Sequence, residues 1–404
     1  MNVVINHICT EALASSPALP ALAKYSGEYP RLAAPAALAA LLAASFAAAL
    51  VLALVLVPLA RRLFLRLDFV DRPGERKIHA AAIPYGGGAA LFATLLIVLG
   101  GGLAAVFFGD RLLPAWLAAK AVLAENSSGI RDKTPALALV FLAAGVLFVM
   151  GLVDDRRRLP AWPKLLAQLA AAAIVVWGAG FYATFYVPCG WLDRLASVLW
   201  IVVVTNAFNF LDNMDGLSAG VAAIVLAVLV AVTAAAGQIF VPVLAAVLLG
   251  AVLGFLAYNF PPASVFLGDA GSQVVGFLIA VLAIMANYYP GAGDGGRFSP
   301  FMPLVLLAIP LYDFTSVTLI RLARGKSPFV GDTNHFSHRL VALGLSRRSA
   351  VLIVYLATGT TAVGALLLRS AGTVESVLIF LQTLAVVAII AVFERVAGER
   401  VLKD

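Results

Sequence analysis

LASVLWIVVVTNAFNFLDNMDGLSAGVAAIVLAVLVAVTAAA, residues 195–236, consists of two apolar runs joined by a polar stretch. A helix needs about 20 apolar residues to cross a hydrocarbon core, so each run is read as one membrane span. Asn206, Asn209, Asp212 and Asp215 then fall where the two spans meet. Two amides and two carboxylates at that point require a reason, because burying such groups unpaired costs several kcal/mol.

Outward from this stretch the same apolar pattern repeats. The chain is 62% hydrophobic and only 12% charged over 404 residues, where a soluble domain carries about a quarter charged. Eleven spans are expected, near 34–60, 82–108, 135–153, 165–183, 195–211, 217–236, 240–258, 273–289, 301–320, 350–368 and 374–393. The fold class is therefore an all-α polytopic membrane protein. Residues 1–33 form an N-terminal tail without the basic start and short apolar core of a cleavable signal peptide. Residues 34–393 form the membrane domain and 394–404 a C-terminal tail. Cys9 and Cys189 are too few and too far apart for a disulfide framework or a metal site.

The formal charge of +7 finds its explanation in topology, and nucleic acid is not an expected partner. When alternate loops are assigned to opposite sides, 19 of the 28 Lys and Arg fall on one side. The positive-inside rule makes that side cytoplasmic, with the N-terminus outside and the C-terminus inside. Its two basic loops, 61–81 and 321–349, also suit anionic lipid headgroups.

Four polar clusters share the same face. They are NAFNFLDNMDGL (206–217), GLVDDRRRLPAWPK (151–164) with Asp154 and Asp155, NFPPASVFLGDAGS (259–272) with Asn259 and Asp269, and GDTNHFSHRL (331–340) with Asp332, His335 and His338. Each alone has an ordinary explanation as a helix cap, a solvated charge run or a polar loop. Their concentration on one surface does not. If the helix continues through 206–217, Asn206, Asn209 and Asp212 line one side of it. Converging amide and carboxylate oxygens suit a hard cation such as Mg²⁺. Asp154 and Asp155, adjacent on a helix, diverge by about 100° and are expected to do different jobs. Asp269 is expected in a Gly-rich loop, Gly268 to Gly271, where backbone approaches a ligand closely. The Gly86-Gly87-Gly88 run reads as close helix packing rather than a phosphate cradle, and Trp162, Trp191 and Trp200 read as interfacial anchors.

RKIHAAAIPYGGG (76–88), VDDRRRLPAWPKL (153–165), NAFNFLDNMDGLSAG (206–220), NFPPASVFLGDAGS (259–272) and RLARGKSPFVGDTNHFSHRL (321–340) resemble, in order and spacing, the polyprenyl-phosphate N-acetylhexosamine-1-phosphate transferase superfamily of glycosyltransferase family 4. The resemblance covers roughly residues 50–350 and is to the WecA-like branch rather than to the translocase acting on muramyl-pentapeptide. It implies a bacterial cytoplasmic membrane enzyme that moves a sugar 1-phosphate from a UDP-N-acetylhexosamine to undecaprenyl or another polyprenyl phosphate and releases UMP. UDP-GlcNAc is the first expectation for the donor, ahead of other acetamido sugars. The cofactor implied is Mg²⁺, with Mn²⁺ as the alternative, and a homodimer fits the same branch.

By the same resemblance, Asp154 and Asp155 are paired essential acids and Asn209 and Asp269 the metal ligands. Asp212 and Asp215 belong to the nucleotide and metal region, and His335 and His338 to the donor-binding loop. Lys77 contacts phosphate; Arg321, Arg324 and Lys326 supplement the positive charge, and Asn206 and Asn259 complete the candidate substrate-binding set. Two positions depart from the pattern. Asn213 stands where a glycine is common, and Ser337 precedes His338 where a second histidine is common.

Joining two anions is chiefly an electrostatic problem, which a metal ion and cationic side chains answer. A phosphate monoester has its second pKa near 6, so the acceptor is largely dianionic at neutral pH and needs no general base. Direct in-line attack is favoured over an aspartyl-phosphate intermediate for that reason. A secondary transporter would instead place polar groups near the bilayer midplane and show two related halves.

Overall fold

The computed structural model describes residues 35–72, 82–112, 126–157, 159–184, 190–288, 296–325 and 335–401. Lys77, Lys326, Asp332 and the tail 1–33 lie outside the described residues.

The elements run α1 (Pro35–Arg66), β1 (Val70–Asp71), β2 (Ile83–Pro84), α2 (Gly87–Leu112), α3 (Ser127–Arg157), α4 (Ala161–Ala173), α5 (Gly190–Leu211), α6 (Leu217–Ala235), α7 (Phe240–Asn259) and α8 (Gly268–Met285). After a 3₁₀ turn at Ser299–Phe301 come α9 (Met302–Leu306), α10 (Ala308–Ala323), α11 (Phe336–Ala342), α12 (Arg347–Leu368) and α13 (Thr373–Val401). Among the described residues ten helices are long and apolar enough to span a membrane, with α4 lengthened by a π-helical turn at Ile174–Gly178. An eleventh span is broken: Ser299–Leu306 and Ala308–Ala323 meet at 58°. The break has a chemical cause, since Pro310 has no N–H to offer the Leu306 carbonyl four residues back. The protein is thus an all-α polytopic membrane protein, and the eleven spans read from the sequence each find a helix or the broken pair.

The eighth span differs from its apolar run in a way that matters. The helix begins at Gly268, five residues before the run, so Asp269 lies in its first turn and not in a loop. Hydropathy missed this turn because GDAGS is polar and small. It is helical because surrounding helices cover it: 83% of the α8 window is buried, against 17% for α13. A Cβ on Gly88 would come within 2.5 Å of the Gly271 backbone, and one on Gly276 within 3.0 Å of Thr205. One on Gly151 would overlap the Ala270 backbone. Close approach of α2, α3 and α5 to α8 therefore depends on missing side chains, as in other membrane bundles. The glycine run at the start of α2 belongs to this packing, as expected.

Trp162 and Trp191 are exposed near span ends. Trp200 is not an interfacial anchor: it lies within α5 and its indole Nε1 donates to the Ala280 carbonyl of α8 at 3.3 Å. The helix starts before its apolar run, which moves Trp200 inward. A short antiparallel pairing, Val70 with Pro84 and Asp71 with Ile83, ties the end of α1 to the start of α2. The Phe266 N–H donates to the Pro84 carbonyl at 2.9 Å, which docks the segment before α8 on the same hairpin.

Candidate active site

The first turn of α8 organises the site. Asp155, in the last turn of α3, accepts from the backbone N–H groups of Asp269 (2.8 Å) and Ala270 (3.3 Å). A carboxylate there satisfies donors that a helix start leaves unpaired and complements the dipole. Gly268 makes the approach feasible. Its φ is +72°, a region L side chains rarely adopt, and an added Cβ would stand 2.5 Å from Asp155 Oδ2. Gly268→Ala is expected to lower turnover by about 10²-fold, with melting temperature reporting the accompanying strain; unchanged turnover would show that this approach does not position Asp269.

Asp154 meets Asp269 at its side chain and not its backbone, so the adjacent acids do have different contacts. Asp154 Oδ1 accepts from the Leu159 N–H at 2.6 Å and its Oδ2 pairs with Lys164 at the start of α4. The Lys164 ammonium also reaches Asp269 Oδ2 at 3.0 Å. Asp269 Oδ1 in turn accepts from Asn209 Nδ2 at 3.0 Å, and the same amide nitrogen donates to Ser272 Oγ. The expected ligand pair Asn209 and Asp269 is therefore brought together, and one lysine bridges two acids from different helices.

One turn deeper, the same three helices meet again through carboxamides. Gln168 Nε2 donates to Asn206 Oδ1 (3.3 Å) and Gln273 Oε1 (3.2 Å), and Asn206 Nδ2 returns a bond to Gln168 Oε1 at 2.6 Å. Gln168 follows Lys164 by one turn, Asn206 precedes Asn209 by one, and Gln273 follows Asp269 by one. Such a layer holds the axial register of α4, α5 and α8. Both ends of the Asn206 amide are engaged in it, so this side chain supports the site rather than presenting a free group to substrate.

α5 ends at Leu211, and the turn 212–216 leads into α6. Asp212 thus leaves the helical line expected for it, while Asn206 and Asn209 keep theirs. Gly216, at φ +74°, begins α6 in the left-handed conformation. Asn259, buried at 3% exposure, accepts from the Gly216 N–H and donates to the Val265 carbonyl. This corrects its assignment to substrate: the amide is consumed bracing two loops, because a turn packed at a helix junction needs its backbone groups paired. Asp215 accepts from the Ala263 N–H at 2.9 Å, which adds a second brace. Tyr355 and Arg348 of α12 bond the Gly216 and Pro261 carbonyls.

Asp212 lies between the spans with the Gly268 N–H facing its carboxylate. Burial pushes its carboxyl up to about 8, and the charges of Asp269 and Asp215 add to the rise. Folded protein then holds this proton more tightly than unfolded protein does. Its contribution is most favourable below the ordinary carboxylate range and is lost as pH rises through about 8. Without divalent ions, melting temperature should fall as pH rises across that window, and Asp212→Asn should flatten the slope; parallel slopes for both proteins would contradict this.

The histidine region is anchored from α10. Asp313, 2% exposed, takes His335 Nδ1 at 2.9 Å on one oxygen and the Phe336 N–H at 2.9 Å on the other. His335 is itself buried, edge-on to Phe210, and its ring centre lies 6.3 Å from that of His338. Arg321 is not an exposed loop cation. It is 2% exposed in the last turn of α10, with its guanidinium 4.9 Å over the Phe210 ring. The helix carries Arg321 inward one turn before the exposed Arg324, where α10 ends. A charge above an aromatic face in a covered site is compensated by the ring quadrupole.

Reasoning on the sequence thus found most acids of this cluster but assigned no role to Lys164, Asp313 or the Gln168 and Gln273 amides. Lys164 stood inside a motif already quoted, but it reaches Asp154 only because the chain breaks between α3 and α4, which no helical spacing displays. Asp313 lay within an apolar run, where an ionisable residue is itself a functional signal.

Comparison with known proteins bears on this arrangement. Residues 137–287 match the family model described as glycosyl transferase family 4. The chain is 32% identical over 354 residues to a probable undecaprenyl-phosphate N-acetylglucosaminyl 1-phosphate transferase of Bacillus subtilis, covering 85% of this chain and 90% of the relative. It is 34% identical to a decaprenyl-phosphate N-acetylglucosaminephosphotransferase of Mycobacterium leprae, over 74% of this chain and 77% of that protein. A Salmonella typhi undecaprenyl-phosphate alpha-N-acetylglucosaminyl 1-phosphate transferase is 27% identical, over 75% and 77%.

Proposed function

The chain belongs to the polyprenyl-phosphate N-acetylhexosamine-1-phosphate transferases of glycosyl transferase family 4, and from that premise we propose that it transfers N-acetylglucosamine 1-phosphate from UDP-GlcNAc to undecaprenyl or another polyprenyl phosphate. An acceptor phosphate oxygen attacks the sugar-bearing phosphorus of the donor, the bond to the bridging oxygen breaks, and UMP leaves. The product is a polyprenyl-pyrophosphate sugar that starts a cell-envelope polysaccharide.

The observation that carries this reading is the meeting of Asp154, Asp155, Lys164, Asn209, Asp212 and Asp269 at the ends of membrane spans. There a lipid tail stays in hydrocarbon while its phosphate meets a water-soluble nucleotide. We place that end at the cytoplasmic face of a bacterial cytoplasmic membrane, as the distribution of basic residues favours.

The donor set also fits Mg²⁺ or Mn²⁺. The Asp269 carboxylate and the Asn209 carboxamide, held together by a 3.0 Å hydrogen bond, are oxygen-bearing groups of the kind such an ion takes, with water and substrate phosphates completing its shell. Asp269 and Asn209 would hold it, with Asp212 nearby, and it would neutralise charge developing on the donor pyrophosphate. Lys164 supplies positive charge beside the same carboxylates, and Asp155 keeps Asp269 in place through the α8 backbone. The acceptor phosphate needs no proton removed, so Asp154 serves by orienting Lys164.

Purified protein in detergent is expected to release UMP from UDP-GlcNAc only when undecaprenyl phosphate and Mg²⁺ are both present. Release with another UDP-acetamido sugar alone would replace the sugar and keep the chemistry. Silence with every donor, in folded protein, would overturn the reading.

A further inference from the structure

The two departures from the family pattern, 124 residues apart, touch each other. Ser337 Oγ donates to Asn213 Oδ1 at 2.6 Å, and Ser337 is 2% exposed. Asn213 Nδ2 donates to the Phe210 carbonyl, also at 2.6 Å. The Asn213 carboxamide therefore does two things at once: its nitrogen closes the turn after α5, and its oxygen receives a hydroxyl from α11.

The position of each residue gives the contact its meaning. Asn213 sits between Asp212 and Asp215 in the acidic turn; Ser337 sits between His335 and His338. α11 is only seven residues long and could not hold itself. Asp313 fixes its first turn through His335 and the Phe336 N–H. Phe336 and Leu340 are buried as well, and the helix packs on α12 and α13. The Ser337–Asn213 bond ties it to the acidic turn itself and sets the distance between the histidines and the acids.

Size reinforces the point. A histidine at 337 adds as many side-chain heavy atoms over serine as a glycine at 213 removes from asparagine. In a close-packed interior an unpaired change of that size is felt, whereas an exchange across one contact conserves volume. Either residue of the family pattern introduced alone would bring a clash, or leave a buried hydroxyl without its acceptor.

We propose that Asn213 and Ser337 are a matched positioning pair that docks the histidine-bearing helix on the acidic turn and so sets donor binding. The proposal rests on the transferase reading for the word donor; the coupling itself does not. Neither side chain need touch the reacting atoms.

The test is a double-mutant cycle on the full chain in detergent, with Asn213→Gly, Ser337→His and the two combined. UMP release gives KM for UDP-GlcNAc and for undecaprenyl phosphate separately, and melting temperature is measured without substrate. Each single change should raise the donor KM about tenfold and leave the acceptor KM within about twofold, and the pair together should return the donor KM to within about threefold of wild type. Losses that simply multiply in the double variant would overturn the proposal, as would a donor KM that never moves or an acceptor KM that moves with it.

Should Ser337→His fail to fold, Asn213→Ala and Ser337→Ala complete the cycle: Asn213→Ala also removes the bond to the Phe210 carbonyl, so the double variant should cost no more than Asn213→Ala alone. Multiplying losses there also overturn it. If wild-type protein releases no UMP, the transferase reading fails, while non-additive melting temperatures still report the coupling.

Discussion

Asp269→Asn will abolish UMP release, by about 10³-fold or more, in protein that still melts cooperatively. The substitution keeps the shape of the side chain. It removes the charge, however, and turns one oxygen into an NH₂ group. Asp269 Oδ1 now accepts from Asn209 Nδ2 and Oδ2 receives the Lys164 ammonium, so an amide nitrogen on either side would face a donor with a donor. The metal reading loses its carboxylate in the same step. Turnover within tenfold of wild type would dismiss both the metal assignment and the central place given to this first turn of α8.

Lys164→Gln should lower turnover by about 10²-fold or more, and its failure would take a different form. Without the ammonium, Asp154 and Asp269 face each other across a partly covered site with no cation between them. The glutamine can still donate one hydrogen bond, so the helix start should persist. Because the Lys164 ammonium occupies an oxygen of the proposed metal ligand Asp269, the variant should also need less Mg²⁺ for half-maximal rate even as turnover falls. Wild-type rate at every Mg²⁺ concentration would leave the lysine as a surface ion pair of little consequence.

Composition and hydropathy were enough for the membrane class and for the spans, because crossing a hydrocarbon core imposes a length and a polarity that any window of sequence displays. The acids and amides stood out for the same reason: Asn209, Asp212, Asp215, Asp154, Asp155 and Asp269 are expensive at membrane depth unless used. What each of them does was decided by contacts between helices distant in sequence. Asp155 meets the α8 backbone 114 residues away, Lys164 meets Asp269 across 105 residues, and Ser337 meets Asn213 across 124. No local periodicity encodes such pairings.

Tertiary structure also decided which expected residues face the site. Asn259 and Arg321 read as polar groups available to substrate, yet packing enclosed the first as a brace and laid the second over Phe210. The polar GDAGS segment read as a loop, and burial made it the first turn of α8. The sequence by itself determined that this chain spans a membrane and carries a concentration of oxygen donors at span ends, since both follow from solvation, which acts residue by residue. Only the tertiary structure decided which carboxylate receives the lysine and which caps the helix. Those are matters of distance and direction between side chains, which solvation does not specify.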